Sequence, residues 1–206
     1  MTLPALARRL AALPASCGPV RLVGVDGHAG SGKSSFADRL AAALGSVHGA
    51  PAPVVHLDDL ASHDALFAWT DRFARRVREP LSRGEAARFD AYDWTVRRFR
   101  LPRVVPPAPV VLVEGVGAGR RDLRPWLAEL LWMDLDPAAA HARGEERDGP
   151  ALAAFWRTWR AAEAAHFAAD PSRPHAGVLV DGLTGVIRPL AGPAVPLRPH
   201  ATGHGE

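Results

Sequence analysis

The stretch VRLVGVDGHAGSGKSSFADRLAAAL, residues 20–44, decides the fold. Its first part, VRLVGVD, is a short apolar run of the kind found in strands buried on both faces. Its last part places Phe36, Leu40 and Leu44 on one face of a helix. Between them, Gly27 to Ser34 spells G-x-x-x-x-G-K-[ST]. In the setting strand, glycine turn, helix, this pattern cradles phosphate. The glycines let the backbone N–H groups of residues 28 to 34 turn inward, and the helix start adds partial positive charge. Lys33 is the only lysine among 25 lysines and arginines. High Ala, Arg, Pro and Gly usage reads as GC-rich coding, under which arginine serves wherever any cation will do. A lysine that remains marks a geometric demand: a compact charge on a flexible stem, able to reach β- and γ-phosphates where a planar guanidinium does not fit. The Ser34 hydroxyl is suited to Mg²⁺. Gly27, His28, Ala29, Gly30, Ser31, Gly32, Lys33, Ser34 and Ser35 are therefore the candidate nucleotide-binding residues. The bland alternative is a glycine turn with no ligand.

Working outward, four more apolar runs read as strands: APVVHLD (52–58), APVVLVEG (108–115), LLWMDLD (130–136) and AGVLVDG (176–182). Helical patterns lie between them, as in DALFAWTDRFARRVREPL (64–81) and ALAAFWRTWRAAEAAHF (151–167). Alternating strands and helices predict an α/β, three-layer nucleotide-binding fold. Its sheet is five-stranded and mostly parallel, with helices on both faces and ligands at the carboxyl ends of the strands. Leu3, Leu6, Leu10 and Leu13 have helical spacing and predict a short amphipathic helix within residues 1–18. A single domain is expected over 1–188, with an insertion at 58–107 and a lid at 137–150. The segment 189–206, rich in Pro, Gly and His, is expected to be a loose tail, and its His200 and His204 to be solvated.

At 206 residues the chain fits one domain and is long enough for a real core. Its net charge is only +3. The pI near 9.9 reflects the scarcity of groups that titrate between pH 8 and 11, so it does not indicate a nucleic-acid surface. One cysteine, Cys17, rules out an internal disulfide, suits a reducing cytoplasm, and reads as inert. No apolar run reaches membrane-spanning length. The expected partner is a small molecule, with no nucleic acid and no membrane; a homo-oligomer is compatible with the sequence.

Acids gather at the ends of the predicted strands. Asp26 precedes the glycine loop, Asp58 and Asp59 end strand two, and Glu114 ends strand three. An acid placed so can join a Mg²⁺ shell or accept the proton of an attacking hydroxyl; the alternative for each is a turn residue or helix cap, and for Asp58 and Glu114 position and chemistry agree on the former. After strand four, Arg143 and Arg147 share a helical face. They can close over phosphates or pair with Glu145, Glu146 and Asp148. Arg72, Arg75, Arg76, Arg78, Arg83 and Arg88 either face solvent or line a pocket for an anionic acceptor. Trp69, Trp156 and Trp159 read as core, as does His56 in strand two. The nine histidines show no metal-ligand spacing, and His28 is expected to lend the loop its backbone alone.

These motifs together resemble the uridine kinase and phosphoribulokinase-like branch of P-loop kinases, and more closely its small bacterial uridine kinase-like, ATP-binding members. GHAGSGKSS is similar to the branch's Walker loop. HLDDL resembles its strand-two Asp-x-Phe motif, which puts the catalytic base on Asp58. RFDAYDW resembles its Tyr-Asp-aromatic motif near the nucleoside, which maps to Tyr92, Asp93 and Trp94. VVLVEGV resembles its Mg²⁺-associated Glu-Gly, giving Glu114. ARGEERD resembles its lid Arg-x-x-x-Arg-Asp, giving Arg143, Arg147 and Asp148. Asp58 departs from the pattern in being followed by Asp-Leu. The resemblance implies a kinase that uses ATP and Mg²⁺ to phosphorylate a hydroxyl, with a uridine- or cytidine-like nucleoside as the leading acceptor. In that scheme Lys33, Asp58, Arg143 and Arg147 are catalytic, Ser34, Glu114 and Asp58 serve the metal, and Asp59, Tyr92, Asp93 and Trp94 meet the acceptor. A phosphorylated or acidic acceptor, or a nucleotide-gated binding module with slow hydrolysis, are the alternatives.

Overall fold

The computed structural model of the chain describes residues 1–190. In order it contains α1 (Leu3–Ala11), β1 (Arg21–Asp26), α2 (Lys33–His48) and β2 (Val54–His56). A helical segment follows, made of α3 (Thr70–Phe73), a wider π turn (Ala74–Arg78) and α4 (Glu79–Ser82). Then come β3 (Ala87–Asp93), β4 (Arg98–Val105), β5 (Val110–Glu114), β6 (Leu127–Asp134), α5 (Pro137–Asp148), α6 (Ala153–Ala169), β7 (Val178–Asp181) and β8 (Ile187–Pro189).

The main sheet has the order β2-β5-β1-β6-β7-β8. The first five are the expected parallel strands; β8 adds a sixth, antiparallel to β7 at the edge. It carries the sheet through Pro189, into the segment assigned to the tail. Residues 191–206, with His200 and His204, lie outside the described residues. Strand alternation sorts side chains onto two faces. Leu22, Val111, Val113, Leu130 and Trp132 enter one core, which includes Phe73, Val77 and Leu81 of the helical segment. Val23, Val25, Val110, Leu112, Leu131 and Met133 enter the other, against Leu6 and Leu10 of α1 and Phe36, Leu40 and Leu44 of α2. Layers thus form on both faces as the apolar runs imply. No helix among the described residues is long and apolar enough to cross a membrane.

Two elements depart from the sequence pattern. The helix expected over 64–81 begins at Thr70. Leu66 and Trp69, which a helix would place on one face, instead enter different apolar clusters. Downstream, β3 and β4 form a separate antiparallel hairpin. In β3, buried Ala87, Phe89 and Ala91 alternate with exposed Arg88 and Asp90, whereas Pro102 and three arginines mask the same period in β4. Cys17 is fully buried; burial pushes its thiol up to about 11, and its Sγ donates to the Arg78 carbonyl, so it is chemically quiet.

Candidate active site

Central β1 delivers the glycine loop to the carboxyl edge of the sheet, between β5 and β6. Asp26 at its end is fully buried and accepts three backbone N–H bonds, from Gly27 (2.7 Å), Gly117 (2.9 Å) and Gly119 (2.8 Å). It fixes the loop against the turn after β5. Gly30 and Gly32 adopt left-handed φ of +84° and +94°, and Gly32 caps α2. Not every loop amide turns inward. The Ala29 amide donates to Glu163 (2.7 Å) and that of Ser31 to the His28 carbonyl (3.0 Å). The amides of Gly30, Gly32, Lys33 and Ser34 bond no other described residue, as expected of donors at the start of a helix. The Lys33 ammonium, nearly buried, donates to the His28 carbonyl at 3.0 Å.

Around this loop lies a cavity of about 270 Å³ lined by Ala29, Gly30, Gly32, Lys33, Ser34, Ser35, Asp58, Glu114, Arg143 and Arg147, among others. Ser34 donates its hydroxyl to Glu114 Oε1 (3.2 Å), and the His56 ring bonds Glu114 Oε2 (2.7 Å). Burial opposes ionisation of Glu114, but His56, Lys33 and Ser34 outweigh it and hold the carboxyl below its usual range. The bond to Glu114 in turn raises the pKa of His56. His56 is therefore half-open and part of the site, where its strand position suggested core. Asp58 sits in the short turn Leu57–Asp59. It is open to water through the cleft yet deep beneath its rim. That depth, and then the charge of Glu114, push its carboxyl above the usual range against the pull of Lys33. A hydroxyl, an ionised carboxylate and a second carboxylate facing one cavity form a hard oxygen set that fits Mg²⁺. The four free amides and Lys33 fit a polyphosphate.

The two arginines come from α5. Arg143 donates to the Gly182 carbonyl (3.0 Å) and lines the cavity. Arg147 makes a two-point pair with its neighbour Asp148 (2.6 and 3.0 Å) and still faces the cavity, with Asp58 near enough to stabilise its charge. Glu145 pairs instead with Arg160 of α6 (3.1 Å).

A second cavity, also about 270 Å³, adjoins the first and shares Ala29, Asp58, Arg147 and Trp159 with it. Its other walls are His63, Trp94, Asp148, Leu152, Phe155 and Trp156. The Trp94 indole donates to the Asp58 carbonyl (3.3 Å), and Trp156 donates to Asp148 (3.1 Å). Trp156 and Trp159 are buried, as expected of core, and also line this cavity; Trp69 is core alone.

Three residues mapped to the acceptor side do not line either cavity. Asp59 is held by Arg103 of β4 (3.0 Å). Asp93 accepts the amides of Thr95 (3.1 Å) and Val96 (3.2 Å), closing the β3–β4 turn. Tyr92 lies behind His63, its hydroxyl 3.0 Å from the ring. Nor do Arg72, Arg75, Arg76, Arg78, Arg83 or Arg88 reach the two cavities. Arg72 lies over the Phe99 ring (3.6 Å), Arg78 over Trp126 (4.4 Å), and Arg83 pairs with Glu85 (2.9 Å). Sequence reasoning missed His56, His63, His141 and Glu163. Isolated histidines carry no spacing signal, and the residues that meet them come from distant segments. His28 does more than lend its backbone, since its ring bonds Glu163.

Among solved structures, the chain is similar to a protein described as a possible uridine kinase from Bacillus stearothermophilus. The TM-score is 0.63 at 16% identity, over 87% of this chain and 97% of that one. It is also similar to a protein from Silicibacter sp. TM1040 provisionally described as a fructose transport system kinase. There the TM-score is 0.55 at 23% identity, over 71% of this chain and 81% of that one. No protein-family model and no curated protein matches the sequence. The chain has the P-loop kinase fold of these neighbours.

Proposed function

We propose that the protein is an ATP-dependent kinase that transfers the γ-phosphate to a hydroxyl of a small molecule, with a uridine- or cytidine-like nucleoside as acceptor. One observation carries this reading: the cavity around the glycine loop adjoins an aromatic one, and Asp58 and Arg147 line both. Lys33 and the free loop amides hold the phosphates. Ser34, Glu114 and Asp58 would hold Mg²⁺, which would supply charge neutralisation. The acceptor enters among His63, Trp94 and Phe155, whose rings suit a planar, uncharged group. Asp58 takes the hydroxyl proton as that oxygen bonds the terminal phosphorus and the bond to ADP breaks. Its raised pKa makes it a better proton acceptor than an ordinary aspartate. Arg143 and Arg147 face the charge that develops on the transferring group. The arginines of 72–88 lie away from the cavity, which favours a neutral acceptor over a phosphorylated one.

The test is ADP release from MgATP, screened against nucleosides, nucleoside monophosphates and sugar phosphates. Stimulation by a nucleoside supports the reading. Stimulation by a monophosphate or sugar phosphate alone assigns the other acceptor class, and nucleotide binding with no stimulation by any acceptor indicates a nucleotide-gated binding module.

A further inference from the structure

Glu163, midway along α6, is 1% exposed and takes no part in the transfer described above. Its carboxylate gathers donors from two other elements. Oε1 accepts the Ala29 amide of the glycine loop at 2.7 Å. Oε2 accepts from His28 Nδ1 at 3.2 Å and from His141 Nε2 of α5. Both imidazoles can donate as neutral tautomers. Burial opposes ionisation of Glu163, and the donors of His28, Ala29 and His141 outweigh it, holding the carboxyl below its usual range.

The surrounding packing leaves no slack. A Cβ on Gly30 would stand 1.9 Å from the Ala140 carbonyl oxygen, and one on Gly144 2.3 Å from the Trp156 ring. Helix α5 is therefore seated with its backbone directly on the glycine loop on one side and on α6 on the other. The same helix carries Arg143 and Arg147, two and six residues beyond His141.

We propose that Glu163 is a positioning residue that ties the phosphate loop and the arginine-bearing helix into one rigid unit. Its bond to Ala29 sets the loop for the nucleotide, and its bond to His141 sets Arg143 and Arg147 for transfer. The catalytic consequence rests on the kinase reading; the tie itself does not. The two arms separate by substitution. Glu163→Gln keeps the shape but withdraws the shared anionic acceptor. His141→Phe removes only the α5 donor, and His141→Gln returns an amide N–H in its place.

The experiment compares these three variants with the wild-type protein by MgATP titration calorimetry, ADP release with uridine, ligand-free amide hydrogen exchange and zinc analysis. Glu163→Gln is expected to weaken MgATP binding about tenfold, the scale of a lost charge-assisted bond, and to speed exchange in the glycine loop and α5. His141→Phe is expected to slow ADP release about tenfold while leaving MgATP affinity within about twofold, and His141→Gln to recover most of the rate. Folded variants that match wild type in affinity, rate and exchange overturn the proposal. So does a His141→Phe variant that loses affinity and rate together without rescue by His141→Gln. The three ligand atoms lie within 4.8 Å of one another, and stoichiometric zinc in the purified protein would replace the direct tie by a metal site. If wild type binds MgATP but releases no ADP with any acceptor, the kinase reading fails alone, and faster exchange in Glu163→Gln still upholds the tie.

Discussion

Replacing Gly30 with alanine strikes the seam between the glycine loop and α5. Two costs follow from the structure. At φ +84° an L-residue is strained, by about 1–2 kcal/mol. The new Cβ would also lie 1.9 Å from the Ala140 carbonyl, where ordinary contact begins at 3.4 Å. Helix α5 must then retreat by roughly 1.5 Å, the difference between those two distances, and Arg143 and Arg147 go with it. A misplacement of about 1 Å costs roughly 100-fold in rate, so Gly30→Ala should lower kcat by at least about 100-fold. The backbone strain alone should lower Tm by about 2–8 °C. Steady-state ADP release and a thermal melt measure both. Gly32→Ala is the control: its φ is +94°, but the nearest atom to its Cβ is 3.9 Å away. It carries the strain without the push on α5, so Gly30→Ala should melt lower. A Gly30→Ala protein with wild-type kcat and a melt equal to that of Gly32→Ala would refute the placement of α5 on the loop.

Asp58→Asn should lower kcat about 10²–10⁴-fold in initial rates at saturating MgATP, and a kcat within about twofold of wild type would contradict its assignment as the base. In the metal-free protein the Asp58 carboxyl should titrate above the usual carboxylate range, followed by the pH dependence of its carboxyl-carbon NMR shift; titration at ordinary aspartate pH would contradict it. His56 has a raised folded pKa because it bonds Glu114, so its contribution is complete below its ordinary 6.5 and is lost as pH rises through the raised value. Glu114, held low, stays ionised down to below its ordinary 4.5. The Tm gap between wild type and His56→Gln should therefore be widest near pH 5–6 and shrink in alkali, and a pH-independent gap in thermal melts would discount the pair. Trp94→Ala should raise the acceptor KM about tenfold, as loss of a stacking face does, with MgATP affinity unchanged in direct titration.

The glycine-loop half of the site was legible in sequence because one contiguous segment builds it. The residues Gly27 to Ser35 form the turn and helix start that directly follow β1, as their own pattern predicts, and Asp58 and Glu114 follow apolar runs that end at the same edge. The parallel strands were legible for the same reason: burial on both faces leaves apolar runs that turn residues bound. The aromatic cavity was harder to read. Its walls come from Trp94 on the hairpin, His63 in an irregular loop, and Phe155, Trp156 and Trp159 on α6, brought together only by tertiary packing. Asp93 carries the local pattern of a ligand-facing acid but is consumed by its own turn, where an aspartate commonly bonds amides just ahead of it. Glu163 reads as a polar position among the alanines of α6; its role depends on partners 22 and 134 residues away. The β8 strand is three residues long and pairs only at the edge, too short to impose a period.

The most direct measurement follows label from [γ-³²P]ATP with Mg²⁺ and a nucleoside panel, comparing wild type with Lys33→Ala. The account predicts labelled nucleoside monophosphate from the wild type and none from the variant, with both proteins folded. Label that stays on ATP or appears only as inorganic phosphate, whatever nucleoside is offered, contradicts it. So does transfer that survives the loss of Lys33.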